Sequence, residues 1–382
     1  MLHLSQHLAD REIDVHVLTT TGNIADAKFR FQVHPIMRTW SWSELPKLIK
    51  FVKGCTPDAV LLNYMGFFYN YHPMITFAPT IVKKMFPGVP FVTQVVQPTG
   101  AITKCTLLGR VVRKGMKWLV RRKGVDWNYG TLLRDSDRVI VLCEGHRATL
   151  AGLCPSFDEK YVLVPPPPIL HITPDDNGTS RRRGRELLSL KTNEFLLMFF
   201  GRIYPGKGVE TLLRAFQIVS TLKSNVRLAV VGGTVTMDFP SRPCYGKEVS
   251  ELARELGIDD KVSWTGEYSW DSDVGSAYLR AADVCVLPFD QGVQLNNSSF
   301  ASAAAHGLPI ITTKGDMLEM SFVHQENVFL CLPRNPEALA AGIVRLMDHP
   351  ELRQRLAVGA LQLAREWFSW EGAVDRTLET LS

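Results

Sequence analysis

The 382-residue sequence predicts an α/β protein built from two doubly wound, parallel-sheet domains. Three observations predict it. Short apolar runs alternate with amphipathic helical stretches along the whole chain, the order that builds parallel sheets. The length suits two domains better than one. Between the halves stand four prolines in a row, Pro165 to Pro168, followed by the polar, charged stretch 173–185. Neither segment suits a sheet or helix interior, so the boundary falls there.

The elements follow in order. In the first domain (1–168) the expected strands are 14–19, 59–63, 90–95, 138–142 and 161–164, with helices over 46–53, 74–85 and 107–122 between them. A linker spans 169–190. The second domain (191–367) restarts with a strand at 195–200, a helix at 209–222 and a strand at 227–231. Helix 247–256 and strands 262–264 and 284–287 follow, then helix 300–306, strands 309–312 and 327–331, and helices 337–348 and 351–367. The segment 368–382 reads as a helix with one apolar face that packs back on the first domain.

The start departs from this pattern. Residues 1–10 (MLHLSQHLAD) already have helical spacing, and no strand with a glycine-rich turn precedes them, although a doubly wound half normally opens with both. Either the chain begins with a helix or the native start lies upstream of Met1. The second reading is preferred, and it leaves the first domain without its first strand.

A formal charge of +5 is too small to argue for nucleic acid, although it suits phosphate-bearing partners or an anionic surface. The seven cysteines are scattered and contain no CxxC pair. A disulfide framework and a zinc site are both disfavoured, and a reducing, cytoplasmic setting is expected. No apolar run approaches the roughly 20 residues that span a bilayer. The segment 109–123 (GRVVRKGMKWLVRRK) carries seven cations and no acid among apolar residues. It reads either as a solvated helix face or as a basic amphipathic helix that touches the anionic inner face of a membrane.

The segment 199–216 (FFGRIYPGKGVETLLRAF) carries most of the functional weight. A strand ends at Gly201, a glycine turn presents Arg202 and Lys207, and Gly208 opens a helix. Free backbone N–H groups at a positive helix start suit a phosphate. Arg202 supplies a planar fork and Lys207 a point charge, so together they form a diphosphate clamp. The spacing resembles a P-loop, but Gly208 stands where a Ser or Thr would hold Mg²⁺, which excludes that class. In 281–313 a strand ends at Pro288, a polar loop follows, and Ser298 or Ser299 is placed to cap a small-residue helix. Gln291, Gln294, Asn296, Asn297, Ser298 and Ser299 then lie beyond the carboxyl end of a strand, where ligands of doubly wound sheets bind, and match a ligand rich in hydroxyls.

GRIYPGKGVETLLRAF, LAVVGG (228–233), VSWTGEY (262–268), AADVCVLP (281–288) and AAAHGLPIITT (303–313) occur in this order. Together they resemble the retaining glycosyltransferase family 4, across the second half and less specifically in the first, where SDRVIVLCEGHRATL (136–150) looks like its last strand and helix. The resemblance implies the GT-B architecture of two Rossmann-like domains facing a cleft. It implies transfer of a sugar from a nucleoside-diphosphate sugar to a hydroxyl acceptor, with retention and usually with no metal or other cofactor. Gly201, Arg202 and Lys207 would take the donor diphosphate. Gly266, Glu267 and Tyr268 would line the nucleobase pocket, and the loop before Phe300 would hold sugar and ribose. Sugar or lipid-linked acceptors are the expected partners.

The chain departs from the family in two places. The family carries two glutamates eight residues apart, and counting back from Gly307 puts Gln294 and Ser302 there; aligning on the loop glycine makes Gln291 the first instead. The family often has a histidine after the strand equivalent to 90–95. Here Gln97 is the nearest polar group, with His72 a substitute and His146 a further acceptor-side candidate. The competing reading is a non-catalytic nucleotide-sugar-binding protein or an inactive, N-terminally truncated fragment.

Overall fold

The computed structural model describes residues 2–22, 29–98, 126, 128–154, 156–173, 177–235, 242, 244–269 and 272–382. The expected basic helix at 109–123, with the longer stretch 107–122, lies outside the described residues. The chain divides into two compact units, Met1–Pro165 with Trp370–Ser382, and Pro166–Ser369.

In the first unit, helix α1 (Leu2–Ala9) precedes two parallel strands, β1 (His16–Thr20) and β2 (Gln32–Met37). The sequence reading missed β2 because QVHPIM contains Pro35, which cannot donate to a ladder. The structure accommodates it with a shift of register: Leu18 faces His34 and Thr20 faces Met37, so Pro35 falls in a bulge of an edge strand. Helix α2 (Leu45–Cys55) leads to a separate four-stranded parallel sheet in the order β3 (Val60–Tyr64), β4 (Phe91–Val95), β5 (Arg138–Val141) and β6 (Tyr161–Leu163). Among the described residues no strand joins β1 to β3.

The single helix expected at 74–85 is two, α3 (Pro73–Thr76) and α4 (Ala78–Met85), because Pro79 has no N–H to continue the first and serves instead in the opening turn of the second. Short helices α5 (Leu132–Asp135) and α6 (Glu144–Ala151) flank β5. Successive strand residues point to opposite faces. Phe91 and Val95 join Met74, Tyr129 and Phe157 on one side. On the other side Val92 and Ile140 meet Val164 and Ala373, the last from the C-terminal helix.

The second unit opens with a correction. The polar stretch 173–185 was excluded from any helix, yet α7 (Thr179–Leu187) runs through it. Its apolar content is too low for periodicity to show, and polar docking holds it. Gly184 brings the backbone against the Ala277 carbonyl, where a Cβ would stand 2.0 Å from the oxygen. Arg181 donates to the carbonyls of Arg280, Ala281 and Ala282 at 2.9–3.2 Å and to Asp283 at 2.6 Å. It thereby satisfies the open carboxyl end of helix α10 (Val274–Ala281).

Beyond α7 the alternation is regular. β7 (Phe195–Phe200), α8 (Val209–Leu222), β8 (Val226–Val231), α9 (Tyr245–Glu255), β9 (Val262–Gly266), α10 and β10 (Val284–Leu287) are followed by α11 (Ser298–Ala305), β11 (Ile310–Thr313) and β12 (Phe329–Cys331). Helices α12 (Pro336–Asp348) and α13 (Pro350–Trp367) close the unit. All six strands are parallel, in the order β12-β11-β10-β7-β8-β9. The central strands β7 and β10 are apolar end to end because helices cover both sheet faces. The last helix, α14 (Trp370–Leu381), belongs to the first unit. There His7 stacks on Trp370 at 4.4 Å and Arg11 pairs with Asp375 at 3.1 Å.

Candidate functional site

The carboxyl ends of β7, β8 and β10 gather three loops of the second unit, and glycines allow their backbones to touch. Gly201, Gly206 and Gly208 all have positive φ, so the clamp turn between β7 and α8 takes a path that other residues resist. The turn is stitched to the end of β8: Ile203 N–H donates to Gly233 O at 3.0 Å, and Val235 N–H donates to Ile203 O at 3.1 Å. It also meets the loop after β10. Asp290 N–H donates to Gly206 O at 3.0 Å, and a Cβ on Gly208 would stand 1.8 Å from the Pro288 oxygen. A Cβ on Gly201 would come within 2.3 Å of the Ser299 hydroxyl.

On this frame Arg202 is exposed and makes no ion pair or side-chain hydrogen bond among the described residues. Lys207 is half-buried, its Nζ 5.0 Å from the Tyr204 ring centre and 4.9 Å from that of Phe289. The rings hold the ammonium by its attraction to their faces and leave its charge uncompensated. The start of α8 adds its open N–H groups. An anion is the ligand this combination suits.

The sequence reading missed the charges behind the clamp. Glu210, in the first turn of α8, accepts from Arg242 Nη1 at 2.6 Å and from the Tyr245 hydroxyl, and Arg242 also pairs with Glu248. Burial works against the Glu210 anion, but these partners hold its carboxyl below the usual range. Asp290 is pushed up by burial, with Arg334 at 3.6 Å pulling the other way. Also missed was Glu319, 5% exposed, whose Oε2 accepts from Leu295 N–H at 2.5 Å. No sequence pattern ties a residue after β11 to the loop after β10. Only the sheet order, with β10 beside β11, brings them together.

The polar candidates separate. Gln291 is exposed, and Gln294, Asn296 and Ser298 are half-buried in the loop before α11. Neither Ser298 nor Ser299 caps α11. The N-cap is Asn297, and its Oδ1 accepts from Gln294 N–H at 2.7 Å within the loop. Ser299 packs at Gly201, as above. Ser302 is 3% exposed and donates to the Ser298 carbonyl at 2.9 Å, so it turns into the helix rather than toward a ligand. Glu267 lies exposed across Gly233, where a Cβ would stand 2.0 Å from its Cγ. Tyr268 is committed to packing, with Phe200 and Tyr278 rings at 6.0 and 6.4 Å; burial pushes its phenol up to about 12.

In the first unit, Gln97 is exposed just beyond β4. His72 is taken by structure: its Nδ1 accepts from Met74 N–H at 3.1 Å at the start of α3, and its ring meets Trp42 edge-on at 6.2 Å. His146 is buried, and burial drives it down to about 4 against the opposing hydrogen bond to the Val95 backbone, so it is neutral at pH 7. Among the described residues no group of three His, Cys, Asp or Glu side chains is placed to hold a metal ion.

Two Rossmann-like units with parallel sheets define the GT-B fold class. Residues 180–362 match the family of glycosyl transferases group 1. The chain is 31% identical over 255 residues to D-inositol 3-phosphate glycosyltransferase of Thermomonospora curvata, covering 64% of this chain and 56% of the relative. To lipopolysaccharide 1,2-N-acetylglucosaminetransferase of Salmonella typhimurium it is 27% identical over 197 residues, 52% of this chain and 50% of that one. The chain thus spans about half the length of the curated relatives it matches. Anabaena HepE, solved with UDP and glucose, shares the fold with a TM-score of 0.69 at 16% identity, covering 100% of this chain and 94% of that one.

Proposed function

We propose that the protein is a retaining glycosyltransferase of family 4 type that moves a sugar from a nucleoside-diphosphate sugar to a hydroxyl acceptor. The observation that carries this reading is the clamp: an exposed Arg202 and a ring-held Lys207, neither in an ion pair among the described residues, on a glycine turn at the start of α8. The names of the relatives and the UDP and glucose bound to Anabaena HepE support it.

In this reading the diphosphate lies on the clamp and the sugar lies against Gln291, Gln294 and Asn296. As the bond from C1 to the diphosphate oxygen breaks, negative charge grows on the leaving group, where Arg202 and Lys207 stand in place of a metal. The acceptor hydroxyl attacks C1 on the face the diphosphate leaves. Because the side chains set against the sugar, Gln291, Gln294 and Asn296, are amides rather than carboxylates, the departing oxygen takes the acceptor proton. Bringing both substrates together supplies much of the remaining acceleration. Among the described residues no helix is long and apolar enough to cross a membrane. A sugar or lipid-linked acceptor at the inner face of a membrane, with the basic segment 109–123 against anionic lipid, fits this proposal.

The test is calorimetry with UDP and GDP, followed by transfer assays with their sugar conjugates. Tight binding of one nucleoside diphosphate is expected; binding of neither would end the reading.

A further inference from the structure

The loop after β10 has three consecutive backbone N–H groups, each held from a different place. Val293 N–H donates to Thr313 O at the end of β11, at 2.9 Å. Gln294 N–H donates to Asn297 Oδ1 within the loop, at 2.7 Å. Leu295 N–H donates to Glu319 Oε2, from the segment after β11, at 2.5 Å. The two segments also touch through backbone alone: a Cβ on Gly292 would stand 2.1 Å from Gly315 N, and one on Gly315 would stand 1.9 Å from Gln291 O.

Of these three anchors only Glu319 is a carboxylate, and it is buried. Burying a carboxyl group is costly unless it is well hydrogen-bonded. Such a group is a demanding way to anchor a loop backbone. It is warranted where the held segment must not shift. Leu295 is itself buried, at 1% exposure, and its neighbours Gln294 and Asn296 are half-exposed. Fixing Leu295 from beneath therefore fixes the direction of the two amide-bearing side chains on either side of it.

We propose that Glu319 is the positioning residue of this loop: by holding Leu295 N–H it sets Gln294 and Asn296 against the sugar of a nucleotide-sugar donor. The inference rests on the donor reading above and deepens it. The loop carries no acid where the family carries two, and a buried acid from the neighbouring segment gives its neutral amides the fixed geometry that hydroxyl recognition requires. Glu319 acts through Leu295 and touches no substrate. The clamp lies on a different loop, so the two halves of the donor separate in their response: the diphosphate answers to Arg202 and Lys207, the sugar to Glu319.

The experiment compares wild type, Glu319→Ala and Glu319→Gln as full chains, by calorimetry and thermal melting. The probes are UDP and GDP, with UDP-glucose, UDP-N-acetylglucosamine and GDP-mannose. The nucleotide sugar that wild type binds most tightly is carried forward with its free nucleotide. Glu319→Ala is expected to weaken the nucleotide sugar at least tenfold more than the free nucleoside diphosphate. Glu319→Gln keeps an oxygen that accepts from Leu295 N–H and is expected to recover most of that loss, to within about threefold of wild type. Equal loss for both ligands in Glu319→Ala would reduce Glu319 to a structural support and overturn the proposal, as would unchanged affinity for both or the absence of rescue in a folded Glu319→Gln. Wild-type protein that binds none of the probes would instead bring down the donor reading, a result distinct from variants that match a binding wild type.

Discussion

Gly208 lies against the carbonyl of Pro288 with no room for a side chain: a Cβ there would stand 1.8 Å from the oxygen, at a φ of +73°. The contact joins the clamp turn to the amide-bearing loop. The left-handed conformation alone costs a non-glycine residue roughly 1–2 kcal/mol, and the overlap must push one loop off the other. Gly208→Ala is expected to lower nucleoside-diphosphate affinity at least tenfold. Gly206→Ala is the control, since its φ is +99° but nothing lies within 4 Å. Equal behaviour of the two variants in calorimetry would remove the loop contact from the explanation.

Arg202→Ala and Lys207→Ala are each expected to weaken UDP or GDP binding by about 1.5–3 kcal/mol, the size of a lost charge-assisted contact. Neither is in an ion pair among the described residues, so the fold should melt within a degree or two of wild type. Arg202→Lys should recover little, because a fork is replaced by a point. Unchanged affinity in both alanine variants would dissolve the clamp.

Acid should destabilise each unit through a buried neutral histidine. In the second unit His306 Nδ1 donates to Ser302 O at 2.7 Å, which leaves Nε2 to accept from the Ser276 hydroxyl at 2.8 Å. Burial, with Arg280 nearby, holds His306 down at about 4 against the opposing Ser302 hydrogen bond. His146 stands at about 4 in the first unit. Both values lie below the unfolded value of 6.5, so the unfolded chain binds the proton more tightly. Stability is full above about pH 6.5 and falls as pH drops toward 4, by about 2 kcal/mol per histidine at pH 5. His3, His7, His34 and His324 are also lowered by burial and act in the same direction. Urea midpoints at pH 7.5 and pH 5 measure the effect, and His306→Gln should flatten it in the second unit. A midpoint that holds or rises at pH 5 would contradict this account.

Arg181→Ala should loosen the joint between α7 and α10. The fork holds three carbonyls and Asp283, whose other oxygen accepts from Leu196 N–H at 2.7 Å at the start of β7. Arg181 is 41% exposed, so solvent screening tempers the loss to about 1–2 kcal/mol in urea unfolding. A change below the error of the measurement would show that α7 docks by its backbone at Gly184 alone.

The second unit was legible because its central strands β7 and β10 are buried on both faces and read as unbroken apolar runs such as FLLMFF, and because glycines mark many of its turns. In the first unit β3 to β6 were legible as short, largely apolar stretches between helical ones, although they carry polar residues such as Asn63, Gln94 and Arg138. What escaped the sequence was held by polar groups or by partners distant in the chain. Helix α7 carries four arginines and a single apolar side chain, the exposed Leu187, β2 hides behind Pro35, and the 74–85 stretch breaks at Phe77 because of Pro79. Of the candidate site, Arg202 and Lys207 could be named from the glycine pattern, and the loop amides from their place beyond the end of a strand. Glu319 and the Glu210–Arg242–Tyr245 group could not, since no periodicity links them. His72 and Ser302 were named from the family resemblance, and both make local hydrogen bonds.

Helix α14 gives the chain an order of completion. Its Ala373 closes the cluster with Val92, Ile140 and Val164, so the sheet begun at β3 waits for residues made after the whole second unit. During synthesis the unit that carries the clamp can therefore finish first, while the earlier-made unit stays unsealed along one face. Mutations that slow the second unit would then prolong exposure of apolar surface in the first, and aggregation would arise far from the altered residue.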